Sequence, residues 1–282
     1  MREKLITVSL LAGMLATSAP AIAAAPRVSM TLATPGASRT LTLPEAAGNS
    51  PVIALGAATD PQSGNLVEGF AIVRYRDTDA KPDGGGAGNG HGGGGKPTSS
   101  CYGFLASGAK WKAVEPWVMN PANIDALDAA FAFSNMAGNV AKWESAAGAD
   151  VLGAGSSTSD LLAADTTAPD GVNEVYFGAI ADPGVIGVTI VWGIFGGPPR
   201  NRELVEWDQV YDDVDFDWAS DGSASAMDFE NIATHELGHT FGLADLYTGE
   251  CAEETMYGYA AEGETNKRDL ATGDIAGISS LY

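Results

Sequence analysis

Two histidines and one acid have the spacing of a metal-binding helix. They lie in the stretch His235-Glu236-Leu237-Gly238-His239, which contains two of the three histidines of the chain. Residues four apart share one face of a helix, so His235 and His239 can bind one ion side by side. Glu236 lies one position further round the helix, where it can act on a water bound to that ion. The residues therefore predict metal-assisted chemistry on water.

A turn after this helix can supply a third ligand. Gly242 follows the second histidine, and glycine adopts positive φ at little cost, so the backbone can turn sharply there. That turn can return Asp245 to the ion, and no other histidine lies nearby in the sequence. From the composition of the chain, the complete pattern HExxHxxGxxD should occur by chance in about one of 60,000 such chains.

The metal-binding stretch needs a helix that is anchored on another face. Phe229, Ala233, Leu237 and Phe241 recur every four residues and predict a buried stripe on a helix from about Asp228 to Phe241. Asp228 can cap its first turn. One face then anchors the helix while the adjacent face presents the histidines.

Further patterns predict strands and two other helices. The acidic stretch at 204–218 predicts a strand or hairpin with Asp213, Asp215 and Asp217 on one face. These three acids form either a solvated face or a calcium site. The spacing does not fit an EF-hand loop, so Ca²⁺ is possible but has no specific motif. The other predicted elements are strands at 52–55, 70–75, 111–119, 175–180 and 185–195, a helix from Asn120-Pro121 to about 147, and a last helix at 273–281.

Composition and the N-terminal sequence predict an exported protein. Residues 1–23 have a basic start, an apolar run and a small-residue cleavage site, as in a secretory signal peptide. The formal net charge is −21, and removing two basic residues and one acidic residue with the signal peptide makes it −22. So acidic a surface repels the phosphates of nucleic acid and disfavours binding to it. Without a later apolar run of about 18 residues, we expect a soluble monomer, extracellular or periplasmic, without a membrane partner.

The two cysteines have two interpretations. Cys101 and Cys251 are the only cysteines of the chain, and in an exported protein they most simply form one disulfide. Alternatively, a free thiol could cap the metal in a latent form.

The C-terminal part resembles a known family of enzymes. After HExxHxxGxx and its ligand come Met256, in Glu254-Thr255-Met256-Tyr257-Gly258, and a short helix that ends at Tyr282. This order resembles the metzincin clan of zinc peptidases, and the ending is similar to that of a matrixin. The resemblance implies one catalytic zinc on His235, His239 and Asp245, Glu236 as catalytic base and Met256 beneath the metal. It also implies an α+β, zincin-like domain with a twisted, mostly parallel sheet, two long helices and a small C-terminal subdomain.

The sequence departs from the matrixin pattern at three points. Asp245 stands where matrixins have histidine, and no PRCGxPD cysteine-switch segment precedes the domain. The histidines of a second, structural zinc site are absent, because the third histidine, His91, lies in a Gly-rich tract.

The predicted organisation has three parts after the signal peptide. Residues 24–80 form a small β-rich region, which is a candidate propeptide, an inhibitory segment or an accessory module. Residues 81–100 are a Gly-rich linker, and 101–282 form the catalytic domain. We predict a secreted zinc metalloendopeptidase that acts on proteins or peptides. The alternative is a secreted metal-binding or adhesive protein on a peptidase scaffold, but Glu236, whose loss would most simply end turnover, is present.

Overall fold

A mixed β-sheet carries three α-helices in the part of the chain that the computed structural model describes, residues 40–46, 50–76, 101–125 and 127–282. The predicted signal peptide, the Gly-rich linker and His91 lie outside these ranges. No helix within them is long and apolar enough to cross a bilayer. The strands are β1 (Thr40–Leu41), β2 (Val52–Thr59), β3 (Leu66–Arg76), β4 (Glu115–Asn120), β5 (Leu152–Ser157), β6 (Asn173–Phe177), β7 (Ala179–Ile180), β8 (Val185–Ile194), β9 (Glu203–Tyr211), β10 (Trp218–Ala219), β11 (Met227–Asp228) and β12 (Tyr259–Ala260), and the helices are α1 (Ala129–Ala147), α2 (Phe229–Thr240) and α3 (Thr272–Leu281).

The main sheet has the strand order β12, β3, β8, β9, β6, β4, β5, and β2 also pairs with β3. The pairs β4–β5, β4–β6, β6–β9 and β3–β12 are parallel, whereas β2–β3, β3–β8 and β8–β9 are antiparallel. The predicted α+β class is confirmed, and the sheet is more evenly mixed than the expected mostly parallel one.

The strands predicted at 52–55 and 70–75 are present as the antiparallel pair β2 and β3, which belongs to the main sheet. Ile72 of β3 pairs with Thr189 of β8, and Tyr75 pairs with Tyr259 of β12. Because β8 takes one edge of β3, β2 and β12 share the other. Ile72 and Val73 point to opposite faces of the sheet, and both are buried. This sharing of one sheet was not predicted from the sequence.

Helix α1 begins later than the sequence indicated. We expected it to begin at Asn120-Pro121, but its N-cap is Asp128, whose carboxylate accepts a hydrogen bond of 2.7 Å from the Phe131 N–H. The Asn123 side chain binds the backbone of Pro121 and of Leu127. Such local bonds compete with the first helical turn and keep residues 121–125 out of the helix.

The predicted row of three acids is wrong, because β9 ends at Tyr211 and the following residues turn. The carboxylate of Asp212 accepts hydrogen bonds from the N–H groups of Val214 and Asp215, which hold the turn. Asp213 bonds instead to the Ile124 N–H. In the described ranges, the groups of three potential ligands are His235/His239/Asp245 and Asp165/Asp170/Glu206, so the acids of 213–217 do not form one. A calcium site remains an untested prediction.

Cys101 and Cys251 form a disulfide, with Cα atoms 5.4 Å apart. The disulfide interpretation is therefore confirmed over the free thiol. The bond joins the start of the region 101–282 to the loop after α2, across a sequence separation of 150 residues.

Candidate metal centre

Helix α2 carries the metal motif and is buried on nearly all sides. Its N-cap is Asp228, as expected, with the carboxylate accepting from the Asn231 N–H at 3.0 Å. The indole of Trp143 on α1 donates to the Thr234 carbonyl at 2.8 Å, which fixes α2 against α1. Gly242 follows the helix with φ of 99°, the conformation that the predicted sharp turn requires.

The turn brings three candidate ligand atoms together. Oδ1 of Asp245 lies 3.1 Å from Nε2 of His235 and 3.5 Å from Nε2 of His239. Zinc bonds of about 2.0 to 2.1 Å at tetrahedral angles place ligand atoms roughly 3.3 Å apart. The observed separations fit one such ion.

Both imidazole rings are oriented for metal binding through Nε2. Nδ1 of His235 lies 2.7 Å from the Thr255 carbonyl, and Nδ1 of His239 lies 3.0 Å from the Leu243 carbonyl. A carbonyl oxygen only accepts, so each Nδ1 donates and each Nε2 keeps its lone pair. Burial, together with the charge of Arg74, lowers the pKa of His235 to about 3, which favours the neutral ring.

Two carboxylate oxygens at this centre have no hydrogen-bond donor among the described residues, Oδ1 of Asp245 and Oε1 of Glu236. A buried carboxylate oxygen without a partner is costly, so each of the two favours a nearby cation or proton. Burial raises the pKa of Asp245, but the neighbouring His239 and His235 outweigh it and leave this pKa well below its usual range. Asp245 is therefore an anionic ligand candidate.

Glu236 is held from the sheet below. Its Oε2 accepts a hydrogen bond of 2.6 Å from the Thr189 hydroxyl on β8. Burial raises the pKa of Glu236, although His239, Arg74 and Thr189 act in the opposite direction. A carboxyl with a raised pKa is better suited to accept and return a proton near neutral pH.

Met256 packs directly beneath the metal helix. A Cβ placed on Gly238 would lie 2.1 Å from Sδ of Met256, so a larger residue there would displace the Met256 side chain. The N–H groups of Thr255 and Met256 both donate to the carboxylate of Asp274 on α3, at 2.7 and 3.1 Å. Helix α3 therefore fixes the turn that carries Met256.

Three residues at this centre were missed from the sequence. Thr189 and Arg74 are polar residues inside apolar strands, which is the signal that could have pointed to them. Tyr247 lies two residues beyond Asp245 and donates to its Oδ2 at 2.9 Å. Nη1 of Arg74 lies 2.5 Å from Nε2 and 2.7 Å from Nδ1 of His235.

Comparison with known proteins agrees with the sequence resemblance. Residues 202–282 match the family model Peptidase_M10, described as matrixin. This region of the chain is that of a matrixin-like metzincin. Over 61 residues the chain is also 39% identical to Metalloendoproteinase 1-MMP of Arabidopsis thaliana, a match that covers 21% of this chain and 15% of that protein. The matrixin match supports a zinc metallopeptidase in general, and the resemblance predicted above is confirmed.

Proposed function

We propose that this protein is a secreted zinc-dependent endopeptidase in which Glu236 is the general base. The observation that carries the proposal is the convergence of His235, His239 and Asp245 beside a buried glutamate, within a matrixin-like region. His235 Nε2, His239 Nε2 and Asp245 Oδ1 would hold the zinc. When bound there, zinc would polarise a peptide carbonyl and lower the pKa of a water molecule.

The residues of the chain divide the proton chemistry between them. Oε2 of Glu236 is held by Thr189, which leaves Oε1 as the oxygen able to take a proton from the attacking water. Glu236 can then deliver that proton to the departing amine. Tyr247 and the carbonyls of Thr255 and Leu243 hold the three ligands in orientation.

The proposed substrates are proteins or peptides. A chain with a formal net charge of −21 repels the phosphates of nucleic acid, which argues against that class of substrate. Export, a monomeric state and the absence of a membrane partner remain proposals that rest on the sequence.

Casein or gelatin cleavage tests the proposal. We expect cleavage by the purified protein, its loss on treatment with a zinc chelator and its recovery when zinc is restored. Glu236→Gln should abolish cleavage while zinc still binds, because glutamine cannot take up the proton. Zinc binding without cleavage of any protein would favour the alternative, a non-catalytic metal-binding or adhesive protein.

A further inference from the structure

The end of strand β3 lies at the metal centre. Residues 68–74 of β3 pair continuously with β8, and the register shifts between Arg74 and Tyr75, which pairs with Val185. Beyond this shift, Tyr75 and Arg76 pair with the two residues of β12. Residues 74–76 are therefore the part of β3 that lies between β8 and the segment just after Met256.

Arg74 extends from this strand end into the centre. It is 2% exposed, and its Nη1 lies 2.5 Å from Nε2 of His235. The same Nη1 donates to the Tyr257 carbonyl at 3.0 Å, and Nη2 donates to the Tyr259 carbonyl at 2.9 Å. These contacts hold a guanidinium, which keeps its positive charge in proteins, against a candidate metal ligand.

An ion bound to His235 would lie next to this guanidinium. With a bond of about 2.1 Å from Nε2 to zinc, Nη1 at its observed position would be no more than about 4.6 Å from the ion, whatever the angle between them. The charged groups that face this space are the acids Asp245 and Glu236 and the two imidazoles. Arg74 already supplies a positive charge to the two acids, so a divalent cation would add charge of the same sign in a buried site.

We propose that Arg74 and the metal ion are alternative occupants of this centre, so that residues 74–76 act as an internal latch on metal binding. The inference rests on the proposed metal site and assigns it a regulation. Residues 74–76 would detach locally while 66–73 stay in the sheet, where Val67, Ala71 and Ile72 are fully buried. In contrast, Tyr75 and Arg76 are only half-buried, and strand ends of this kind open at low free energy.

Zinc affinity of the full-length protein, measured by competition with a chromophoric chelator, tests the latch without any assay of cleavage. Arg74→Met keeps the length of the side chain and removes its charge, and should bind zinc more tightly by about tenfold or more. Arg74→Lys keeps the charge and is the matched control, with an affinity close to that of the wild type. If Arg74→Met binds zinc equally or more weakly, Arg74 supports the centre and the latch is wrong.

A second variant keeps Arg74 and covers the case in which Arg74→Met does not fold. Tyr75→Cys with Tyr259→Cys places two thiols on paired residues of β3 and β12. When oxidised, this pair should hold the latch closed and weaken zinc binding relative to the reduced form. The wild type, measured under both conditions, shows any effect that the redox conditions have through the native disulfide Cys101–Cys251. The same affinity in both states overturns the latch but leaves the proposed function intact. A lack of zinc binding by every form overturns both.

Discussion

The Thr189 hydroxyl donates a hydrogen bond of 2.6 Å to Oε2 of Glu236, and it joins the middle of β8 to the metal helix. Thr189 is fully buried, so water does not compete for this bond. Of the two oxygens of Glu236, Oε2 is fixed and Oε1 has no donor among the described residues. One strand residue thus determines which oxygen of the glutamate is available for proton transfer.

Thr189→Val should slow peptide cleavage by about 10- to 150-fold, because a hydrogen bond to a charged group contributes roughly 1.5 to 3 kcal/mol. Valine has nearly the shape of threonine, so the packing of β8 should be retained. The rate of cleavage is to be measured with zinc content determined in parallel, and zinc content should not change. Thr189→Ser, which keeps the hydroxyl, should restore most of the rate. A wild-type rate for the valine variant would show that Thr189 does not position Glu236.

Tyr247→Phe should weaken zinc binding by about tenfold, since loss of a group that orients a metal ligand typically costs 10- to 100-fold in affinity. Tyr247 donates to Oδ2 of Asp245, and this bond directs Oδ1 toward the two histidines. Chelator competition gives the affinity. Tyr282→Phe is the matched control, because that hydroxyl donates to the Phe241 carbonyl rather than to a candidate ligand. Equal affinities for the two variants would argue against Asp245 as a ligand that Tyr247 orients.

Gly238→Ala should destabilise the protein by about 1 to 3 kcal/mol, because the new methyl group would overlap Sδ of Met256 and the ring of Trp143. Gly138 lies in the interior of α1, and a Cβ there meets no atom within 4 Å. Gly138→Ala should therefore leave stability unchanged or raise it by up to about 1 kcal/mol. Chemical denaturation of both variants measures the difference. Similar stabilities for the two would mean that Met256 is not fixed against the metal helix.

Glu206→Gln should stabilise the protein at pH 8 by about 1 to 3 kcal/mol and have little effect near pH 4. Burial, with the charge of Asp165 adding to it, raises the pKa of Glu206 to about 8. The folded protein then binds an extra proton between pH 4.5 and about 8, and the stability that this proton contributes is lost progressively as pH rises across that range. Glutamine is uncharged at every pH in this range, so the variant does not lose this stability as pH rises.

Thermal denaturation across this pH range measures the effect of Glu206→Gln on stability. EDTA is present throughout, so that a bound divalent cation does not mask the effect. Glu203→Gln on the same strand, at a partly exposed position, is the control. A stability difference that does not depend on pH would contradict the raised pKa.

Local sequence determined the helix and turn of the candidate centre. Helical periodicity places His235 and His239 on one face, and the positive φ of Gly242 returns Asp245 to them, because these are short-range properties of the backbone. For the same reason, α2, α3 and β8 lie within about two residues of their predicted bounds. The start of α1 and the acidic row were wrong, because the side chains of Asn123 and Asp212 bond to nearby backbone in ways that hydrophobic periodicity does not encode.

Only the tertiary structure placed Thr189 and Arg74 at the centre. Thr189 is 47 residues from Glu236 in the sequence, and Arg74 is 161 residues from His235. Their positions depend on which strands pair and in which register, and strand pairing is a long-range choice with no local signal in the chain. The local sequence therefore specified the candidate ligands, whereas the pairing of the strands placed Thr189 beside Glu236 and Arg74 beside His235.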